Sequence, residues 1–270
     1  MPTIAVNGID LYYERMGEGP PLLFCNGSGT TIETSRPLID VFARSFEVVV
    51  HDQRGLGRTS VPDEPFTMAD YASDAAALLD HVGWATSHVF GVSFGGMVAL
   101  EFAVTWPERV ERLVLACTSA GGAGGSSYPL HELQDLPEDE RLARGMAILD
   151  SRFTPQWLED HPADRGIVEL QAARQGAPRS DEQRRGDTLQ LEARSHHDVF
   201  DRLDRITAPT LVAAGRYDGI APVPNSEAIT AGIGGPAELR IYEGGHLFFI
   251  QDPAALPDAT AFLGDVAASS

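Results

Sequence analysis

Val89-Phe90-Gly91-Val92-Ser93-Phe94-Gly95-Gly96-Met97 sets a serine between glycines where one kind of segment gives way to another. The apolar, β-prone residues His88-Val89-Phe90 read as the end of a strand, and Met97-Val98-Ala99-Leu100-Glu101-Phe102-Ala103 reads as a helix. A serine on so sharp a strand-to-helix turn takes a strained backbone conformation, and glycine on either side leaves room for the chain to fold back. Its hydroxyl then stands at the C-terminal edge of a sheet. The helix behind it aims free N–H groups and a positive dipole end at any anion that forms there. An ordinary glycine-rich turn would carry the same five-residue pattern, so partners elsewhere in the chain have to decide.

Outward from that turn the chain alternates strand and helix. Thr3 to Val6 and Ile9 to Glu14 are β-prone and joined by Asn7-Gly8, a strong hairpin signal. Leu22-Leu23-Phe24-Cys25 and Phe46-Glu47-Val48-Val49-Val50 are short apolar strands of the kind buried inside a parallel sheet. Thr67-Met68-Ala69-Asp70 opens a helix with a capping box, and a further strand runs from Val110 to Ala116. The alternation resumes with a helix predicted over 199–206, a strand over 209–215, a helix over 222–231, a strand over 238–242 and a last helix over 253–266. Residues 120–197 break the pattern: a Gly/Ser tether leads into helical stretches with no buried strand. The expectation is an α/β fold with a mostly parallel central sheet flanked by helices. Residues 1–119 and 198–270 would form its core, and residues 120–197 a helical cap inserted after the sixth strand.

Composition narrows the function. The chain has 270 residues, enough for one large domain with an insertion, and a formal charge of −19, which repels nucleic acid and anionic membranes. No apolar run reaches the ~20 residues needed to cross a bilayer, and the first residues read directly as strand and turn, so a cytoplasmic protein is expected. All 20 basic residues are arginine, which excludes a lysine Schiff base and a P-loop lysine. Cys25 and Cys117 each end a predicted strand and read as buried free thiols. No Cys or His pair has metal-ligand spacing, so neither metal nor cofactor is expected. Monomer and homodimer both remain open.

A serine hydroxyl needs a neighbouring base to become a nucleophile, and a histidine base needs an acceptor to fix its tautomer. Of 8 histidines, His246 stands in Glu243-Gly244-Gly245-His246, directly after the last predicted strand, where glycines let a loop project over the strand ends. His51 also ends a strand but runs into Asp52-Gln53-Arg54-Gly55. The acid is sought at a strand end. Asp218 follows the strand ending at Gly215, whereas the strand ending at Ala116 is followed by Cys117, Thr118 and Ser119, with no carboxylate. A helix cap is the other role open to Asp218.

Gly91-Val92-Ser93-Phe94-Gly95-Gly96, the run Asp52 to Ser60, Gly215-Arg216-Tyr217-Asp218 with Pro222, and Gly244-Gly245-His246 together resemble the α/β-hydrolase superfamily. The order Ser, Asp, His matches that superfamily. The resemblance implies Ser93 as nucleophile, His246 as base and Asp218 as its orienting acid. It also implies an oxyanion hole from the backbone N–H groups of Phe94 and Ser28. Asn26-Gly27 stands where the family has His-Gly, a departure that leaves the main-chain donor in place. Within the superfamily the chain looks like carboxylesterases and 3-oxoadipate enol-lactonase-like lactonases, which implies a small-molecule ester or lactone as substrate. The loop Asn26-Gly27-Ser28-Gly29 is also similar to that of C–C bond hydrolases of ring-cleavage products. Cofactor-free perhydrolases share the same look, and some members of the fold act as ligand receptors with little turnover. Asn26, Met146, Phe153 and Trp157 are the residues expected to line the substrate pocket.

Overall fold

The computed structural model describes residues 2–175 and 178–265. β1 (Thr3–Val6) and β2 (Ile9–Met16) form a hairpin whose turn residues, Asn7 at φ 47° and Gly8 at φ 78°, take the left-handed conformation that a two-residue turn demands. β3 (Pro21–Cys25), β4 (Glu47–His51), β5 (Ser87–Val92), β6 (Val110–Ala116), β7 (Thr210–Gly215) and β8 (Ala237–Tyr242) run parallel to one another. The hairpin joins antiparallel to β4, giving the order β1-β2-β4-β3-β5-β6-β7-β8.

Side-chain alternation along the strands divides the core into two layers. Leu22, Phe24, Val48, Val50, Phe90 and Val114 face one side, where α1 (Ile32–Phe42) and the last helix cover them. Leu23, Cys25, Val49, Val89, Leu113 and Leu115 face the other, under α2 (Met68–His81) and α3 (Phe94–Thr105). α3 is buried along almost its whole length, as a helix packed into the middle of a sheet must be.

Between β6 and β7 lie α4 (Glu138–Leu149), α5 (Pro155–Asp160), α6 (Pro162–Gln175) and α7 (Asp181–Ser195), with no strand among the described residues. α8 (Val223–Gly232) follows β7, and α9 (Phe248–Gln251) and α10 (Ala255–Gly264) close the chain.

Two helices differ from the sequence expectation. The stretch predicted over 199–206 is a 3₁₀ segment, Phe200–Arg205. Val199 N donates to Ala120 O and Gly235 N to Ile206 O, so the segment is pinned at both ends over too short a span for a full α-helix. The predicted last helix is preceded by the separate α9, because Pro253 forces Asp252 into an extended conformation and the helical run starts again beyond it. The predicted end of that helix, Val266, lies outside the described residues. Among the described residues no helix is long and apolar enough to cross a membrane.

The loop after β3 turns toward β4 and the loop after β5 toward β6. The crevice between these two strand ends is therefore the point where strand order reverses, the usual ligand position in such sheets.

Candidate active site

Ser93 sits in that crevice with φ 55° and ψ −117°, a conformation costly for any residue but glycine. Close packing holds it there. A side chain at Gly91 would meet Gly95 O at 2.5 Å and Ala99 Cβ at 2.8 Å, and one at Gly95 would overlap the carbonyl of Cys25. The backbone of the turn is bonded on both sides: Ser93 N donates to Ala116 O at 2.8 Å, and Thr118 Oγ1 donates to Ser93 O at 2.8 Å. Phe94 is fully buried, its ring edge-on to Tyr71 with centroids 4.9 Å apart.

His246 and Asp218 arrive from the ends of β8 and β7. His246 Nε2 lies 2.9 Å from Ser93 Oγ, and His246 Nδ1 lies 2.8 Å from Asp218 Oδ2. The other carboxylate oxygen, Oδ1, accepts from the amides of Ile220 (2.7 Å) and Ala221 (2.9 Å). Asp218 thus ties the turn before α8 and orients the imidazole at once; it does not cap α8 itself, whose N-cap position is Pro222 with no side-chain bond. Asp218 and His246 are both buried, whereas Ser93 is half-buried.

The two amides expected to face an oxyanion flank the same crevice. Phe94 N is the first N–H of α3 and has no intrahelical acceptor. Ser28 lies in the loop after β3, which passes Ser93 closely: a Cβ on Gly27 would stand 3.8 Å from Ser93 Cβ. Among the described residues neither amide has a hydrogen-bond acceptor in the protein. The loop is held from below by the Gln53 carboxamide on Asn26 O and from above by Gly29 N on Gln190 Oε1 at 2.8 Å. Asp52 anchors the neighbouring turn, accepting from Ile32 N at 2.7 Å and Arg58 N at 2.9 Å.

Several participants were not visible in the sequence. The carbonyls that end α4 are capped by the two loops just described: Gly219 N donates to Ile148 O at 2.9 Å and His246 N to Leu149 O at 2.7 Å. Gln251 Oε1 accepts from Gly245 N at 2.9 Å, and its Nε2 donates to Asp150 Oδ2 at 3.0 Å and Asp164 Oδ1 at 3.1 Å. Asp150, fully buried, is in turn paired with Arg152 at 2.6 Å. Cys117 adjoins the site as well. Its sulfur and ligand atoms of Asp218 and His246 lie within 4.8 Å of one another, the one such cluster among the described residues that could hold a metal ion. Burial first, and the Asp218 charge second, push the Cys117 thiol well above its ordinary range, so it is a neutral thiol beside the carboxylate.

Among the described residues, no hydrogen bond or ring contact joins the residues expected to line a pocket to Ser93. Asn26 is fully buried with its amide turned to His51 O at 3.5 Å. Met146 is half-buried in α4 and Phe153 is buried. The Trp157 indole donates to Asp164 at 2.8 Å, stacks on His161 at 3.8 Å and lies under Arg152, all within the segment after α4. His51 is buried with both ring nitrogens without a partner among the described residues, and burial pushes it down to about 4.

Comparison with known proteins gives the same architecture a wider setting. A family model described as the alpha/beta hydrolase fold matches residues 20–253. The 3-oxoadipate enol-lactonase 2 of Acinetobacter baylyi is 29% identical over 260 residues, spanning 95% of this chain and 94% of that protein. A poly(3-hydroxyalkanoate) depolymerase of Ectopseudomonas oleovorans is 32% identical over 230 residues, spanning 85% of this chain and 79% of its own. The crystal structure of a hydrolase from Pseudomonas aeruginosa superposes with a TM-score of 0.77 at 31% identity, covering 98% of each chain.

Proposed function

The chain belongs to the alpha/beta hydrolase fold family, and on that premise we propose that it is a serine hydrolase cleaving a small carboxylic ester or lactone through an acyl-enzyme. The observation that carries this reading is the unbroken relay from Asp218 Oδ2 through both imidazole nitrogens to Ser93 Oγ, at 2.8 and 2.9 Å.

In this mechanism His246 takes the proton from Ser93 Oγ as the oxygen attacks the carbonyl carbon. The Asp218 carboxylate holds Nδ1–H, leaves Nε2 free to accept, and balances the imidazolium that results. The tetrahedral oxyanion is received by Phe94 N–H and Ser28 N–H, donors that need no rearrangement and are each worth about 10²–10³ in rate. His246 then returns its proton to the leaving alkoxide, which in a lactone stays tethered to the acyl group. Water activated by the same imidazole releases the acid. Residues 120–197 act as a cap over the crevice, and α4 docks it onto the His246 loop. A lactone fits the kinship with an enol-lactonase, and an open-chain ester the kinship with a polyester depolymerase.

The test is a panel of p-nitrophenyl esters, γ- and δ-lactones, thioesters and vinylogous diketones, run against wild type and Ser93→Ala together. Turnover confined to oxygen esters or lactones, with a loss of 10⁴-fold or more in Ser93→Ala, is the expected result. Undiminished turnover in Ser93→Ala overturns the mechanism, and cleavage of the diketones alone overturns the substrate class.

A further inference from the structure

Among the buried polar side-chain atoms without a hydrogen-bond partner are Ser28 Oγ, Ser119 Oγ and Arg194 Nε. They are linked in space. Gln190 binds Gly29, next to Ser28, at 2.8 Å. Arg194 follows Gln190 by one turn of α7, on the same face. His197 feels the charge of Arg194 and adjoins the backbone of Ser119, which stands two residues beyond Cys117. Unsatisfied buried polar groups are uncommon, and a row of them beside a reactive serine marks a place where another molecule completes the bonding.

Arg194 gives that row its sign. It is only 6% exposed, yet among the described residues it has no carboxylate partner. Its Nη1 donates to Tyr128 O at 3.0 Å and its Nη2 to Ser127 Oγ at 2.6 Å, both neutral acceptors. In a chain of 39 acidic residues this is anomalous. Arg54, equally buried, is gripped by Asp74 at 2.7 and 2.8 Å, Arg152 by Asp150 and Arg202 by Glu101. Burial alone pushes the Arg194 guanidinium down to about 10, which still leaves it charged at neutral pH. His197, pushed down to about 4 chiefly by burial, is neutral there. A buried cation without a counterion is costly to keep, and a guanidinium with a free N–H is shaped for a carboxylate. A chain of hydrogen bonds links Arg194 to the acid loop: Tyr128, whose carbonyl Arg194 holds, donates its N–H to Ile220 O at 2.7 Å, and Ile220 N donates to the Asp218 carboxylate.

We propose that Arg194, with Gln190 beside it, is a subsite for a carboxylate carried by the substrate, so that the ester or lactone cleaved here is an anion. This rests on the serine hydrolase reading for the bond that is broken, but binding of the carboxylate does not depend on turnover. The carboxylate supplies the missing counterion, and the other end of the same molecule is thereby directed toward Ser93.

The probes are the monomethyl esters of succinate, glutarate and adipate against their dimethyl esters. The wild type is expected to favour at least one half-ester by tenfold or more in kcat/KM. Arg194→Gln should lose about 10²-fold on that half-ester, mainly through KM, and stay within about threefold on the diester. Arg194→Lys should recover part of the loss. A wild type indifferent to the carboxylate overturns the proposal, as does an equal loss on both substrates in a folded Arg194→Gln. If that variant does not fold, the wild-type preference and competitive inhibition of diester hydrolysis by the free diacids decide instead. Calorimetric binding of the half-esters to Ser93→Ala separates the two readings. Half-ester binding that Arg194→Gln abolishes, with no turnover by the wild type, keeps the subsite and removes the hydrolase. Diester turnover without carboxylate preference does the reverse.

Discussion

Replacing Asp218 by asparagine isolates the orienting charge from the fold, and the hydrogen bonds around it dictate how the new side chain must sit. Asp218 Oδ1 accepts two backbone amides, at 2.7 and 2.9 Å. In Asp218→Asn those two donors hold the carboxamide oxygen in the same place, because the NH₂ group turned toward them would set donor against donor. The NH₂ group is therefore forced to face Nδ1 of His246. That nitrogen must now accept, its proton moves to Nε2, and Nε2 becomes a donor to Ser93 Oγ instead of an acceptor. The base is lost while the geometry survives. The expected fall in kcat is about 10⁴-fold, equivalent to about 5 kcal/mol of transition-state stabilisation. Because both amides stay satisfied, the melting temperature should move little. Asp218→Ala, by contrast, leaves two buried donors unpaired, at about 1–3 kcal/mol each, and should lose stability as well as rate. Steady-state kinetics with the best ester of the panel, alongside thermal unfolding, checks both halves. An Asp218→Asn enzyme within tenfold of wild type would refute the assignment of the acid.

Two other outcomes follow from the structure. Gln251→Ala should reduce kcat by about tenfold with KM nearly unchanged, since it frees Gly245 and lets the His246 loop drift from its attack position; Gln251→Glu should be worse, because it sets a third carboxylate against Asp150 and Asp164. Stability should fall with acid. His51 and His197 are held at about 4 in the folded protein, below the ~6.5 of an unfolded histidine, so the unfolded chain takes up protons first. Each histidine then contributes stability that is complete above pH ~6.5 and is lost at about 1.4 kcal/mol per pH unit down to about 4. The carboxyls of Asp52 and Asp74, raised by burial, oppose this at the acid end. The reading is therefore the difference in urea midpoint slope between wild type and His51→Leu from pH 7 to 5, and parallel slopes would count against it.

Much of this architecture was legible in the chain because it is local. Asn7-Gly8 specifies its own turn, Leu22 to Cys25 can be little else than a buried strand, and the glycines around Ser93 mark a close approach whichever fold surrounds them. Each loop bearing Ser93, Asp218 or His246 directly follows its strand, so placing the strands placed the side chains. The misread segments failed where distant anchors override local preference, as at Phe200–Arg205, tied to Ala120 at one end and Gly235 at the other. Gln251, Asp150 and Thr118 carried no signal at all. Gln251 meets Asp150 across 101 residues, and Thr118 meets Ser93 across 25. No periodicity or motif records a contact of that kind.

The proposed cap is tied to the site more deeply than an outer lid needs to be. The last carbonyls of α4 would be unsatisfied if the helix simply ended in solvent, and it is the amides of Gly219 and His246 that satisfy them. Ser151 N then donates to Tyr217 O at 2.9 Å, so the chain leaving α4 is stitched to the acid loop as well. Residues 148–151 thus belong mechanically to the framework that holds Asp218 and His246, although in sequence they belong to the proposed cap. Any opening of residues 120–197 that preserves the relay must therefore bend on either side of this stitch and not at it. A change that pulls α4 away would be felt at the base before it was felt at the substrate.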